Sequence, residues 1–262
     1  QWETTKTSNI GLELNMFNNR LRTVFDYFER NTTDLLFNIP TAHEAGVPGG
    51  GIAGNLGEIE NKGFEISLQA DIIRKPGLIW TVGGNAGFMK NKIIELPDGE
   101  DIAPPTTFSI LWREGESLNQ HYLLRYAGVD PDTGRPLYLG IDGNAYTQDE
   151  LISLFPEDTD HRVLNGRSTI PKVEGGFFNS ITYKGWGLRT DFIFKTGNYI
   201  NNFVRAAIET DGNNPAGNHH VGAFNYWQQP GDTNVLPSPI YRAEVIASDR
   251  FLEKGDFIRM RN

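Results

Sequence analysis

The chain has 262 residues, no cysteine, and 33 acidic against 24 basic side chains, which gives a formal charge of −9. An acidic chain offers no basic face to a polyanion, so nucleic acid is not expected as a partner. The absence of cysteine excludes disulfides, thiolate metal sites and cysteine nucleophiles. No run of about 18 apolar residues predicts a transmembrane helix, but membrane-spanning β-strands give a much weaker signal.

The first predicted element is a hairpin whose two faces differ in polarity. Between Ile10 and Met16 every even position is large and apolar, and every odd position is polar or glycine. A period of two predicts a strand. Asn18-Asn19 predicts a turn, and the return strand, residues 21–29, alternates in the same way.

The alternation continues along the chain and predicts seven strands in all. Its clearest example is Gly63 to Ile72, where apolar side chains at even positions oppose polar ones at odd positions. The other predicted strands are Trp80–Phe88, Val173–Tyr183, Gly187–Thr196 and Arg250–Asn262.

The connections between these strands alternate in length. Short turns follow the first, third and fifth strands, whereas long connections of roughly residues 30–59, 89–172 and 197–249 follow the second, fourth and sixth. A short helix is predicted in the second long connection, at Gln148 to Phe155.

Two architectures are compatible with two-faced strands. A soluble β-sandwich buries its apolar face and does not require one end to have the long loops. An outer-membrane barrel turns its apolar face to lipid and its polar face to the lumen, with short periplasmic turns and long outer loops. The pattern favours the barrel, and the sandwich remains the alternative. Because single-chain bacterial barrels have an even strand number of at least about eight, seven strands are expected to be part of a larger barrel.

Several motifs resemble one transporter family. They occur in the family's order along the whole chain: Trp2-Glu3-Thr4-Thr5, Thr32-Thr33-Asp34-Leu35-Leu36, Asn61-Lys62-Gly63-Phe64-Glu65, Gly128-Val129-Asp130-Pro131-Asp132-Thr133-Gly134, Tyr183-Lys184-Gly185, Trp227 to Asp232, and Phe257-Ile258-Arg259-Met260-Arg261-Asn262. Together they resemble the C-terminal barrel region of the SusC/RagA family, the TonB-dependent outer-membrane transporters of Bacteroidetes.

The resemblance implies an architecture larger than this chain. Residues 1–262 would be part of the C-terminal barrel domain of a plugged barrel with about 22 strands. The plug, the TonB box and the last barrel strands are not found in this sequence. The resemblance also implies an outer-membrane location, a SusD/RagB-like surface lipoprotein as lid, and energy from the TonB complex through the plug.

Two groups of side chains are predicted to carry the function. The charged and amide side chains of the polar strand faces would line the lumen: Glu13, Arg22, Asp26, Glu65, Gln69, Asp71, Arg189, Asp191 and Lys195. Aromatic residues outside the strands are candidates for contact with substrate or partner, because flat rings with polar tips stack on sugars and pack on peptides. These are Trp112, Tyr138, Tyr226, Trp227 and Tyr241.

The predicted function is a segment of an importer that takes up oligosaccharides or peptides and is not an enzyme. No catalytic arrangement, metal site or cofactor is predicted, since His219 and His220 are adjacent and adjacent side chains usually point apart. Two alternatives remain: a siderophore or cobalamin receptor of the same barrel type, and a secreted carbohydrate-binding β-sandwich.

Overall fold

The computed structural model of the protein describes residues 2–40, 46, 51–55, 57–103, 109–155, 161–209, 211–212, 214–241 and 248–262. The strands and helices in chain order are β1 (Thr4–Met16), β2 (Leu21–Thr33), β3 (Leu36–Pro40), β4 (Gly51–Asn55), β5 (Glu58–Lys75), β6 (Leu78–Glu95), β7 (Gln120–Leu123), β8 (Arg125–Val129), β9 (Pro136–Leu139), β10 (Ala145–Tyr146), α1 (Gln148–Leu154), β11 (Val163–Ser168), β12 (Val173–Tyr183), β13 (Trp186–Thr196), β14 (Tyr199–Asn201), α2 (Phe203–Ile208), β15 (Leu252–Lys254) and β16 (Phe257–Met260). Short 3-10 helices lie at Pro97–Gly99, Val221–Phe224, Pro239–Tyr241 and Asp249–Phe251.

Seven strands form one antiparallel sheet in the order β1-β2-β5-β6-β12-β13-β16. This confirms the all-β class and the seven predicted strands. β5 and β6 have 18 residues each and are longer than predicted. At about 3.3 Å per residue and a tilt near 45°, such a strand rises roughly 42 Å, which exceeds the hydrocarbon core of a bilayer. If the sheet spans a bilayer as the sequence predicts, at least one end of this hairpin extends beyond the hydrocarbon core.

The short turns lie together at one end of the sheet. In the turn between β12 and β13, Lys184 and Gly185 have φ of 45° and 90°, as a two-residue type I′ hairpin turn requires. Gly77, with φ 77°, follows Pro76 in the turn between β5 and β6. The long connections leave the opposite end, so the predicted alternation of loop lengths is confirmed.

The predicted limits of the last strand were wrong. Residues 249–251 form a 3-10 helix, β15 pairs with β14 in a separate two-stranded sheet, and only β16 joins the main sheet. Gly255 and Asp256 interrupt the extended chain, because the Gly255 amide donates to the Asn198 carbonyl and the Asp256 carboxylate accepts from the Gly197 amide. These long-range bonds have no signature in the local sequence.

The apolar face of the main sheet is exposed, with Ile10 at 76% and Leu12 at 54% of full exposure. The other sheets that the structure describes have two or three strands and belong to the long connections. The β-sandwich alternative was therefore wrong, because no second sheet within the described ranges covers this face.

The buried residues are concentrated in and beside the long connections. Ile59, Ile93, Leu96 and Ile102 form a core cluster at the loop end of β5 and β6. The predicted short helix is present as α1, where the Thr147 side chain accepts from the Glu150 amide and the Glu150 carboxylate accepts from the Thr147 amide. Helix α2 was not predicted. None of the described helices has both the length and the apolarity that crossing a membrane demands.

Candidate functional site

All nine side chains predicted to line the lumen lie on one face of the main sheet. Directly paired residues of antiparallel strands share a face. The register pairs Arg22 with Gln69 and Asp26 with Glu65, and it continues across the sheet to β13. The polar face comprises Glu13, Arg22, Asp26, Glu65, Gln69, Asp71, Arg189, Asp191 and Lys195, with Glu174, Phe178, Arg259 and Arg261 as further members.

Glu174 and Phe178 were not singled out from the sequence, although the signal was present. Val173 to Tyr183 had been identified as a strand, and its even positions pair with Lys195, Asp191 and Arg189. The same alternation that was used for β5 would have placed both residues on the polar face.

The charges on the polar face are unevenly distributed along the strands. One row across the sheet contains Asp26, Glu65, Glu174 and Lys195 and lies nearer the long connections. A row nearer the short turns contains Arg22, Gln69, Phe178, Asp191 and Arg261. Asp26 and Glu65 face each other directly, and like charges in this position are destabilising unless water screens them. A water-filled surface provides that screening.

Two clefts follow these rows. The larger, about 780 Å³, is lined by polar-face residues that include Glu13, Arg22, Gln69, Asp191 and Arg261. The smaller, about 430 Å³, is lined by residues that include Asp26, Glu65, Glu174 and Lys195, and Lys195 Nζ lies 2.8 Å from the Glu174 carboxylate. The clefts therefore present both carboxylate and cationic side chains to a polar solute.

Glycine and aromatic residues shape the floor of the larger cleft. A Cβ at Gly83 would lie 2.6 Å from Cε1 and 2.7 Å from Cζ of Phe178, so the ring occupies the space that a side chain at position 83 would need. The Arg189 guanidinium lies 4.2 Å from the centre of the same ring and binds Asp191 through Nε and Nη2, with the shortest bond at 2.7 Å. A larger residue at position 83 would displace this stack.

The aromatic candidates in the long connections occupy different environments. Trp112 packs against the core cluster of Ile59, Ile93, Leu96 and Ile102. Tyr138 is only 3% exposed and makes an edge-on contact with Tyr126, with ring centres 5.9 Å apart. Burial raises the pKa of the Tyr126 hydroxyl to about 12. As placed here, the Tyr138 ring supports the loop and presents no surface to a ligand.

Trp227 joins two of the motifs that carried the family resemblance. Its indole packs on Gly134, where a Cβ would lie 2.6 Å from the ring, and its Nε1 donates to the Pro131 carbonyl at 3.0 Å. The motif at 128–134 and the motif at 227–232 are thus in contact. Tyr226 is half-buried and lines a cavity, and the side chain of Tyr241 lies outside the described residues.

A buried ion pair that the sequence did not reveal fixes the third long connection. Arg250 and Asp211 form a bidentate pair, with Nη2 to Oδ1 at 2.8 Å, and their side chains are 5% and 2% exposed. The Arg250 guanidinium also lies 5.3 Å from the centre of the Tyr126 ring, which belongs to the second long connection. Local sequence gives no signal for a pair separated by 39 positions.

The described side chains are not grouped as ligands of a metal ion. Within the described ranges, no group of three or more His, Asp or Glu side chains is placed to hold a metal ion. His219 and His220 are both exposed, and Nδ1 of His220 accepts from the Gly222 amide.

Comparison with known proteins identifies relatives across the whole chain. TonB-dependent receptor P3 of Formosa agariphila is 30% identical over an alignment that covers all of this chain and 27% of that receptor. TonB-dependent receptor SusC of Bacteroides thetaiotaomicron is 32% identical over 38% of this chain and 10% of its own length. The chain thus spans between a quarter and a third of the length of the relatives that match all of it, 27% of receptor P3 and 29% of receptor P39.

Solved structures with the same fold include those titled as the RagAB peptide importer. The closed-closed state superposes with a TM-score of 0.85 at 26% identity, and it covers 99% of this chain and 28% of the matched chain. The open-open state gives a TM-score of 0.84 at 25% identity, with coverage of 100% and 28%. The family model described as "TonB dependent receptor-like, beta-barrel" matches residues 1–235. The chain therefore belongs to the TonB-dependent receptor family, of the SusC/RagA type, and is a segment of an outer-membrane β-barrel.

Proposed function

We propose that this segment forms part of the wall and outer vestibule of an importer that takes up oligosaccharides or peptides across the outer membrane. The observation that carries the proposal is the two-faced sheet, in which the apolar face suits lipid and the polar face suits a water-filled lumen. The titles of the RagAB structures support import and support peptides as one substrate class. The proposed role is transport and not catalysis.

The proposed partners follow from the same family relationship. A SusD/RagB-like surface lipoprotein would cover the long connections, and the TonB complex would act through a plug domain. The substrate would pass the mixed charges of the polar face. Of the aromatic candidates, Tyr226, Trp227 and Trp112 remain proposed contacts for substrate or lipoprotein, since each retains some exposure.

Two measurements test this proposal: co-purification tests the lipoprotein partner, and uptake in cells tests the substrate class. The transporter would be tagged and isolated from outer membranes in mild detergent, and uptake of labelled oligosaccharides and peptides would be compared in cells with and without its gene. We expect a lipoprotein in equimolar amount and loss of uptake of one substrate class. Uptake of an iron chelate or a cobalamin without any lipoprotein would favour the siderophore or cobalamin receptor instead.

Cysteine labelling tests the assignment of the two faces. The chain has no native cysteine, so Gln69→Cys and Leu68→Cys place single thiols in this segment at neighbouring positions on opposite faces. In outer membranes, a charged maleimide should react with the Gln69→Cys thiol and leave the Leu68→Cys thiol unmodified. Faster reaction at position 68 than at position 69 would contradict the proposed lumen.

A further inference from the structure

The connection between β13 and β16 folds around a cavity of about 280 Å³. Its walls come from three parts of this connection: residues 209, 211–212 and 215, residues between 219 and 226, and residues between 236 and 239. Hydrogen bonds hold these segments together: the His220 amide donates to the Ile208 carbonyl at 3.2 Å, and the Leu236 amide donates to the Asn225 carbonyl at 2.8 Å. The cavity is therefore a property of this loop and is separate from the clefts of the polar face.

One carboxylate of the cavity wall has an oxygen without a partner. Glu209 is 8% exposed, and its Oε1 accepts from Arg205 Nε at 3.0 Å. Its Oε2 is buried and has no hydrogen-bond partner among the described residues. Leaving a charged oxygen buried and unpaired costs free energy. Glu209 does not stabilise helix α2 through the helix dipole, because it follows the last turn of the helix, where a negative charge is unfavourable.

The charges around Glu209 do not cancel. Arg205 forms ion pairs with both Glu209 and Glu253, at 3.0 and 2.8 Å, so one positive and two negative charges leave a net charge of −1. Asp211 is matched by Arg250 in the bidentate pair described above. Burial raises the pKa of the Asp211 carboxyl, the hydrogen bond to Arg250 opposes this, and the charge of Glu209 raises the pKa further. The cluster of Arg205, Glu209 and Glu253 therefore carries one uncompensated negative charge, and Glu209 is its member in the cavity wall.

Apart from Asp211 and the imidazoles of His219 and His220, the rest of the wall is apolar or aromatic and includes Phe224, Tyr226 and Leu236. Aromatic faces attract cations, particularly where water is excluded. An anion would be repelled by Glu209, and a neutral apolar ligand would leave Oε2 without a donor. A metal ion would need further ligands, and no group of three such side chains is present in the described part of the chain.

We propose that this cavity binds the ammonium group of a small organic amine, with Glu209 as its counter-ion. A primary ammonium combines one positive charge with three N–H donors, so one donor satisfies Oε2 while the aromatic walls contact the charge. The volume lies at the lower limit of ligand pockets, about 300 Å³, which favours a short amine. The α-amine of a peptide and a lysine side chain carry the same chemistry. The site rests on the loop alone and does not depend on the proposed import.

Calorimetry with three probes tests the site on the intact detergent-solubilised transporter. Alanyl-alanine amide carries a free α-amine, its Nα-acetyl derivative carries none, and Nα-acetyl-lysine amide carries only the side-chain ammonium. We expect binding of one or both amines and at least about tenfold weaker binding of the acetylated dipeptide. The tighter of the two amines identifies which source the cavity prefers. Binding of the acetylated dipeptide as tight as that of the tighter amine, or no binding of either amine, overturns the proposal.

Two variants locate the binding to Glu209. Glu209→Gln keeps the shape but removes the charge, and it should weaken amine binding at least about tenfold. Glu253→Gln is the matched control, because it removes the other carboxylate bound to Arg205, which does not line the cavity. Unchanged amine binding in Glu209→Gln, or an equal loss in both variants, refutes the assignment. The comparison of acetylated and free probes on the unaltered protein remains decisive if Glu209→Gln does not fold.

Discussion

The main sheet and the long connections differ in how they remove apolar side chains from water. In the sheet, large apolar side chains such as Ile10 and Leu12 are exposed, and strand pairing fixes every residue on one of two faces. In the connections, Leu123, Tyr138 and Phe251 are at most 3% exposed, and a buried ion pair lies beside them. The sheet therefore depends on lipid for its apolar face, whereas the loops carry a protein core of their own. The effect of a substitution on stability should therefore depend on whether it lies in the sheet or in a long connection.

The strongest test of this contrast is the loss of the buried ion pair. Arg250→Met leaves Asp211 buried without a counter-ion, and removing one partner of a buried pair costs about 3–5 kcal/mol. We expect the long connections to lose protection in hydrogen-exchange mass spectrometry, while the barrel keeps its resistance to unfolding by detergent. Arg189→Met is the matched control, because it breaks an exposed bidentate pair with Asp191 on the polar face. Equal loss of protection in both variants would contradict the contrast.

A second test changes the polarity of neighbouring positions in β5. Leu68 pairs with Thr23 and Gly84 on the apolar face, roughly 16 Å above the short turn for a strand tilted by 45°. Leu68→Arg should therefore destabilise the barrel by about 2–4 kcal/mol, as expected for arginine near the bilayer midplane.

Gln69→Arg is the control for this test and should be tolerated, because position 69 lies on the polar face, where water screens its charge from that of the directly paired Arg22. Outer-membrane yield and the heat-dependent shift in gel mobility measure assembly for both variants. Similar assembly defects in both variants would show that the two faces do not differ in their surroundings, lipid on one side and water on the other.

A third test concerns the contact between the two loop motifs. Gly134 has φ 75° and packs against the Trp227 ring. Gly134→Ala therefore adds backbone strain, because of the positive φ, and a steric clash between the new Cβ and the ring. We expect a local cost of about 1–2 kcal/mol and faster proteolysis of the loop. Gly143→Ala is the control, because Gly143 has φ 82° with nothing within 4 Å of its added Cβ. The difference between the two variants isolates the contribution of the indole contact.

The same contrast explains what sequence alone could predict. The seven strands and both faces follow from a period of two, because each side chain of a strand points either to the apolar face or to the polar face. This alternation is visible in the sequence of a single strand, without knowledge of its neighbours. The capping box of α1 is also local, since it needs only Thr147 and Glu150. The end of the chain was assigned too long a strand, because the bond between Gly255 and Asn198 has no local signature.

Sequence predicted the candidate site only in part, for a related reason. The nine polar-face residues were found from alternation, whereas the burial of Tyr138 depends on its contact with Tyr126 in another strand. The unpartnered oxygen of Glu209 is visible only once Arg205 and Glu253 are placed in space. Properties that arise from three or more distant side chains are not encoded in any window of the sequence.

The smallest expected effect is a pH dependence of the turn at Asp130. The side-chain hydrogen bond from Thr133 is the main reason that the pKa of the Asp130 carboxyl lies below its usual value. A lowered pKa in the folded state means that the stabilisation is complete above the unfolded pKa, about 3.9, and is lost as the pH falls through the folded pKa. Because the carboxyl is largely solvated, the effect should be below about 1 kcal/mol.

Hydrogen exchange of residues 128–135 at pH 7 and below pH 4 measures this change after correction for the intrinsic rate. Asp130→Asn should show no pH step, because its amide does not titrate in this range. A step of the same size in that variant would assign the effect to other groups. Since the strands of the sheet are held by backbone pairing and side-chain alternation, their protection should change little over the same pH interval, and the turn should respond alone.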